Sequence, residues 1–257
     1  MMPAELAVAL AALQARRPDL GLSVHWHERL ASTMDEAARL ATDAALALPV
    51  VIADEQTAGR GRRGHSWQSP AGAGLYMSLV WRQPSLTTLP LMTLAAGLGV
   101  REGIRKATGL VPDVKWPNDL LVGKRKVAGL LAEGVAIGSP DQVVILGVGV
   151  NLMSAAYPPE VAARATSIEG ELGRGVERGV VTGAVIEGLV DRLGDLGTGP
   201  GDILQAWRAA SPSAVGTRVE WDGRHGVTAG IDDAGALLVK TNHGIERIIA
   251  GELRWAL

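Results

Sequence analysis

Between residues 22 and 151, short runs of Val, Ile and Leu alternate with segments whose apolar side chains recur every three or four positions. That is the pattern of strands interleaved with helices on one mixed sheet. Strands are predicted over 22–26, 49–53, 75–81 and 142–149. Helices are predicted over 32–45, where Thr33 and Glu36 stand at capping-box spacing, and over 88–107, where Gly97, Gly99 and Gly103 leave room for a close neighbour. A hairpin is expected from 114–122 and 126–135 about a Gly123-Lys124 turn. The first twenty residues read as a short amphipathic helix, and further helices are expected over 159–165, 180–196 and 202–210. From residue 217 onward the runs TRVEWD, GVTAGID, GALLVK, IERIIA and LRWAL are cut by DG, DDAG and NHG, the signature of a small antiparallel barrel or sandwich. A boundary near 211–216 therefore divides an α+β domain, 1–213, from a β-module, 214–257.

Composition narrows this picture. With 47% apolar and 20% charged residues, the 257-residue chain is globular. A net charge of −2 gives no global basic excess for nucleic acid or a membrane surface. The longest wholly apolar run, 44–53, is broken by Pro49 and falls far below the roughly 18 residues of a membrane span. The absence of cysteine excludes disulfides, thiolate nucleophiles and cysteine zinc sites, and makes the cytoplasm the default compartment. Lysine is scarce against arginine, so each lysine deserves inspection.

Local charge is less even. Residues 56–112 carry seven Lys and Arg and one acid, Glu102, with the basic residues concentrated in Gly59-Arg60-Gly61-Arg62-Arg63-Gly64-His65. Glycines let backbone N–H groups approach an anion while guanidiniums grip carboxylate or phosphate, although the same string also suits a solvated basic loop. It lacks the interleaved aromatics of an RNA-stacking surface, Trp67 being the one ring close by, and it is not a P-loop. Lys115-Trp116-Pro117-Asn118-Asp119 places an ammonium, an amide and a carboxylate around a proline irregularity. It suits a magnesium triphosphate or a structural turn. Lys126 opens an apolar strand, where it serves either as a buried point charge or as an edge gatekeeper. Gly147 and Gly149 form a G-x-G without the third glycine of a dinucleotide fingerprint, and so admit a flat group against a strand end.

Taken in order, Ser32-Thr33, Glu55-Gln56-Thr57-Ala58-Gly59-Arg60-Gly61-Arg62-Arg63-Gly64, Trp67, Lys115-Trp116-Pro117-Asn118-Asp119, Lys126-Val127-Ala128-Gly129 and Gly147-Val148-Gly149-Val150-Asn151 closely resemble the biotin protein ligases. The resemblance implies a class II synthetase-like mixed-sheet domain followed by an SH3-like barrel. It implies that biotin and ATP, with Mg2+, give biotinyl-5′-adenylate and pyrophosphate. The biotinyl group then passes to a lysine of a biotin carboxyl carrier protein belonging to an acyl-CoA carboxylase.

By that resemblance Lys126 and Arg62 are the catalytic residues. Ser32, Thr33, Met34, Gln56, Gly59, Arg60, Gly61, Trp67, Gly129, Gly147 and Gly149 join them in holding biotin. Arg60, Arg62, Arg63, His65, Lys115, Asn118 and Asn151 address ATP or the adenylate, and Asn118 and Asp119 the metal. Met34 and His65 stand where the family often has Asn and Arg. The Gly/Arg loop is expected to close over the intermediate and exclude water. Only about twenty residues precede the first predicted strand, so a ligase without operator DNA binding is expected. A lipoate ligase and a non-catalytic biotin-binding regulator are the alternatives. Oligomeric state, monomer or weak homodimer, and the role of Arg218, Arg224 and Arg247 in the C-terminal module are left open.

Overall fold

Helix α1 (Ala4–Arg16) buries Leu6, Leu10 and Leu13, spaced by four and three, as a one-faced helix must. Strand β1 (Leu22–Leu30) runs parallel to β2 (Leu48–Gln56). Antiparallel pairing then adds β3 (Gly74–Arg82), β7 (Val143–Asn151), β6 (Arg125–Val135), β5 (Asp119–Val122) and β4 (Asp113–Lys115), giving the order β1-β2-β3-β7-β6-β5-β4. This arrangement comes from a computed structural model that describes residues 1–82, 89–135, 142–249, 251 and 253–256.

Alternation along the strands sends Val50, Ile52 and Leu79 to one face and Val51 and Val80 to the other. The first face is covered by α3 (Leu89–Thr108) and α5 (Arg178–Asp195), the second by α2 (Thr33–Leu40). A Cβ on Gly99 would lie 2.5 Å from the Gly188 carbonyl oxygen, and one on Gly188 would lie 2.4 Å from that of Gly99. Glycine on both helices is thus what permits their close crossing.

Several predicted boundaries move for physical reasons. Ser32, not Thr33, caps α2: its Oγ accepts from Met34 N at 3.3 Å, which frees the Thr33 side chain for other partners. The helix ends at Leu40 rather than 45. The predicted strand 114–122 is two strands, β4 and β5, because Pro117, joined to Trp116 by a cis peptide, has no N–H for the ladder. Residues 159–165 form a single 3₁₀ turn, Pro159–Val161, and not a helix. Beyond it Arg164 and Ala165 N–H turn back to Val161 O while the Arg164 carbonyl accepts from Lys126 N–H and Thr166 N–H donates to Lys126 O, and α4 (Ile168–Leu172), which the pattern did not signal, follows. Thr88 and Ala250, placed in predicted elements, lie outside the described residues.

Helix α6 (Gly201–Ala210) leads to β8 (Val215–Trp221), β9 (Arg224–Ile231), β10 (Leu237–Thr241), β11 (Gly244–Ile248) and β12 (Arg254–Trp255), ordered β11-β10-β9-β8-β12. This SH3-like sheet carries no β11–β12 ladder among the described residues. Its inner side chains, Val219, Trp221, Ile231, Leu237 and Val239, join the same apolar core as α3. The buried Trp116 donates its Nε1–H to the Gly235 carbonyl at 3.0 Å, tying the module to the turn between β4 and β5. No helix among the described residues is long and apolar enough to cross a membrane.

Candidate active site

One cavity of about 520 Å³ opens where the loop after β2, the start of α2, the β4–β6 region, the glycine-bearing part of β7 and the residues Gly251, Leu253 and Trp255 converge. Arg60, Arg62, Arg63, Lys115, Lys126 and Arg164 line it, against one carboxylate among the described residues, Asp119. In a chain of net charge −2 this concentration marks an anion site, since a concave surface focuses the field of like charges.

The Gly/Arg loop is an irregular hairpin. Gly61 N–H donates to His65 O at 2.7 Å and Trp67 N–H to Gly59 O at 2.9 Å. Arg63 (φ 55°) and Gly64 (φ 78°) make the turn in the left-handed region. A Cβ on Gly59 would sit 2.4 Å from Trp67 O, so only glycine lets the hairpin close and carry Trp67 inward. The indole lies flat on the sheet: Cβ atoms on Gly149 and Gly129 would meet it at 2.3 and 2.9 Å. Lys126 Nζ stands 5.2 Å from the ring centroid, a cation–π distance. Gly147 plays the same part for Met34, whose Sδ would be 2.7 Å from a Cβ there.

One end of the cavity is neutral and hydrogen-bonding. Thr33 N–H and Oγ1–H both donate to Gln56 Oε1, at 2.8 and 3.1 Å, which fixes the amide orientation because a backbone N–H cannot accept. Ser78, fully buried, lies 2.8 Å from Thr33 Oγ1 and so donates to it. Gln56 Nε2 donates to Ser69 Oγ at 2.8 Å, and Ser69 in turn to Trp67 O at 3.2 Å. Ser32 Oγ accepts from its cap partner, leaving its hydroxyl hydrogen available.

The opposite end is cationic. Lys126 Nζ is 2.5 Å from Asp119 Oδ1. Lys115 Nζ lies 5.4 Å from the Trp255 ring centroid and Arg62 points into the cavity, neither paired with a carboxylate among the described residues. Burial pushes both below their ordinary pKa values. Arg63 adds to the effect at Arg62 and Lys126 at Lys115, while Asp119 opposes it in each case. Cations crowded together and partly desolvated are relieved by an incoming polyanion.

The structure brings together Ser32, Thr33, Met34, Gln56, Arg60, Gly61, Arg62, Arg63, His65, Trp67, Lys115, Asn118, Asp119, Lys126, Gly129, Gly147 and Gly149 on one wall system. Gly59 and Asn151 stand behind it. Asn151 is buried and its Nδ2 donates to the carbonyls of Thr166 (2.9 Å) and Lys126 (3.4 Å). Arg60 turns to Asp35 at 3.0 Å and Glu133 at 3.5 Å. Asn118 is clasped to Leu130, its Nδ2 donating at 2.5 Å and its carbonyl accepting at 2.9 Å. The Asp119 carboxylate is held by Lys126, and no group of three His, Cys, Asp or Glu among the described residues could hold a metal. This donor set does not fit a resident magnesium ion, which needs free oxygen ligands. In the C-terminal module, Arg224 pairs with Glu246 and Arg247 with Asp232. Ser78, Arg164, Leu253 and Trp255 were not foreseen as site residues. Nothing local in their sequence marks them, because each arrives from a distant segment.

Comparison with known proteins agrees with this layout. Residues 26–151 match the biotin/lipoate A/B protein ligase family, and residues 225–253 match the biotin protein ligase C terminal domain. A biotin–[acetyl-CoA-carboxylase] ligase of Paracoccus denitrificans is 33% identical over 212 residues, covering 79% of this chain and 88% of that one. The bifunctional ligase/repressor BirA of Bacillus subtilis is 35% identical over 242 residues, 91% of this chain and 74% of its own. Among solved structures, the biotin protein ligase of Aquifex aeolicus in complex with biotin and ATP matches with a TM-score of 0.78 at 28% identity, covering 91% of this chain and 98% of that one. With both parts of the chain matched and the likeness running almost end to end, this protein belongs to the biotin protein ligases of the biotin/lipoate A/B protein ligase family.

Proposed function

We propose that the chain is an ATP-dependent biotin protein ligase that modifies a lysine on the biotin carrier subunit of an acyl-CoA carboxylase, in the cytoplasm. One observation carries this reading: a glycine-floored, hydrogen-bonding end and a cationic end share a single cavity. The ureido ring of biotin is polar on both sides and is costly to bury unpaired. Ser32, Thr33 and Gln56 supply oriented donors and acceptors for it, and Trp67, Gly129, Gly147 and Gly149 supply a flat apolar wall. The dithiolane of lipoate has no such groups and would leave this cluster without ligand partners, which favours biotin.

In the first step the biotin carboxylate oxygen attacks the α-phosphorus of ATP and pyrophosphate leaves. Two anions must meet, so Lys126 and Arg62 lower the barrier by facing the charge that builds on the α-phosphoryl oxygens. Lys115 receives the β- and γ-phosphates, and magnesium enters on the triphosphate rather than on a site of the protein. In the second step the carrier ε-amine, as the neutral base, attacks the acyl carbon; AMP leaves and the amine proton passes to solvent. Folding of the Arg60–Trp67 hairpin over the mixed anhydride withholds it from water in between.

Incubation with ATP, magnesium, a carrier domain and equal labelled biotin and lipoate tests the assignment. Biotinylation of the carrier lysine is expected. Preferential lipoylation, or no transfer to any carrier, rejects it.

A further inference from the structure

Lys126 occupies an unusual place in the sheet. On one side it pairs with Leu121 of β5, but on the other β7 ends its pairing at Ala128–Val150, two residues short of it. That place is filled by residues 164–166, which arrive from beyond β7. Lys126 N–H donates to Arg164 O at 2.8 Å and Thr166 N–H donates to Lys126 O at 2.9 Å, with a parallel bridge to Ala165 between them. Both backbone groups of the lysine are thus held by a segment outside the sheet.

A carboxylate clamps that segment through side chains. Glu171 Oε1 accepts from Thr166 Oγ1 at 2.5 Å and from Arg125 Nη2 at 2.7 Å. Thr166 belongs to the strap, and Arg125 is the residue just before Lys126 on β6. One oxygen therefore fastens the strap to the strand at the lysine, with Asn151 Nδ2 bridging the carbonyls of Lys126 and Thr166 from behind. The Glu171 side chain is only 15% exposed, on the short α4 whose Glu169 N–H is anchored to Leu152 O at 2.9 Å. Glu171 does not line the cavity.

We propose that Glu171 is a positioning residue for adenylate formation: by clamping Thr166 to Arg125 it fixes the 164–166 strap and, through it, the Lys126 ammonium at the reacting phosphate. The inference rests on the reading of Lys126 as catalytic. A misplacement of about 1 Å at a reacting group costs up to roughly a hundredfold in rate. Loss of the clamp is expected to lower kcat while leaving substrate binding intact, because the hydrogen-bonding end of the cavity is built on other elements.

The test is biotin-dependent pyrophosphate release by Glu171→Ala, Glu171→Gln, Thr166→Val and Lys126→Ala, with biotin affinity by calorimetry without ATP and thermal unfolding as controls. For Glu171→Ala, kcat should fall about tenfold or more with KM for biotin and ATP and calorimetric affinity unchanged. Thr166→Val, which keeps side-chain shape, should share this signature. Glu171→Gln, whose amide oxygen still accepts, should recover most of the rate. Added to Lys126→Ala, Glu171→Ala should cause no further loss. Equal losses of kcat and biotin affinity, or a full additional loss in the Lys126→Ala background, overturn the positioning role. Near-parental release by Lys126→Ala alone overturns instead the assignment of Lys126.

Discussion

Replacing Gly149 by alanine puts a Cβ 2.3 Å from Trp67 Cε2 and 2.5 Å from its Nε1. Carbon contacts settle at about 3.5–4.0 Å, so one partner must retreat by more than about 1 Å. Strand β7 is buried along its whole length between β3 and β6 and is the stiffer body. Trp67 rides on a hairpin and is the one to move, leaving its seat on Gly129 and its place beside Lys126. Overpacking costs about 1–3 kcal/mol, and because a loop absorbs it the lower end applies, a fall in Tm of roughly 2–4 °C. Function should suffer more. Losing about 50 Å² of apolar wall against the ligand costs about 1.3 kcal/mol at ~25 cal/mol per Å², close to tenfold in KM. The assay is biotin-dependent pyrophosphate release, with Gly194→Ala as control: a Cβ there meets nothing within 4 Å and should be neutral or stabilising by up to about 1 kcal/mol. A Gly149→Ala protein with the parental KM for biotin would show that Trp67 does not wall the vitamin.

Lys126→Ala should lower the rate of adenylate formation about 10²- to 10³-fold, as loss of one preorganised donor to a developing oxyanion does, while the fold survives because its backbone bonds to Arg164 and Thr166 remain. Circular dichroism paired with single-turnover kinetics checks both halves. Thr33→Val removes the hydroxyl that links Ser78 to Gln56 and should raise KM for biotin about 10- to 100-fold with little change in KM for ATP, read in steady-state kinetics. Burial lowers the pKa of Lys115, so its ammonium is present at acid and neutral pH and is lost, as pH rises, earlier than an exposed lysine's. The kcat/KM for ATP should fall along that limb, and Lys115→Arg should remove the fall. Trp116→Phe breaks the bond to Gly235 and should cost about 1–3 kcal/mol in denaturant unfolding.

Much of this was legible in the chain because the chemistry is local. The glycine–arginine run, the lysine-bearing turn and the two glycines of β7 are contiguous motifs, and the structure folds them onto one cavity. What failed to show is of a different kind. Thr33 satisfies the capping pattern, yet Ser32 takes that role because Thr33 is wanted by Gln56 and Ser78, one of them on a strand 45 residues away. Residues 159–165 have helical composition and make local turn bonds as far as Ala165, but the Arg164 carbonyl is taken by Lys126 N–H, a tertiary claim that local propensity cannot express. Trp255 and Leu253 reach the cavity because the second sheet packs into the same core as the first and is tied to it at Trp116. Asn151 was read as facing the adenylate, and its buried Nδ2 bonds the Thr166 and Lys126 carbonyls, since periodicity gives the face a side chain takes but not what meets it there.

One cavity joins the carboxylate of the vitamin to a polyphosphate without help from the carrier. Rapid-quench measurement of pyrophosphate, with enzyme, ATP, magnesium and biotin but no carrier protein, tests it most directly. A burst equal to the enzyme concentration, followed by near-silence as the adenylate stays sealed in the cavity, is the predicted result. No burst with biotin, or an equal burst when lipoate replaces it, would contradict the account.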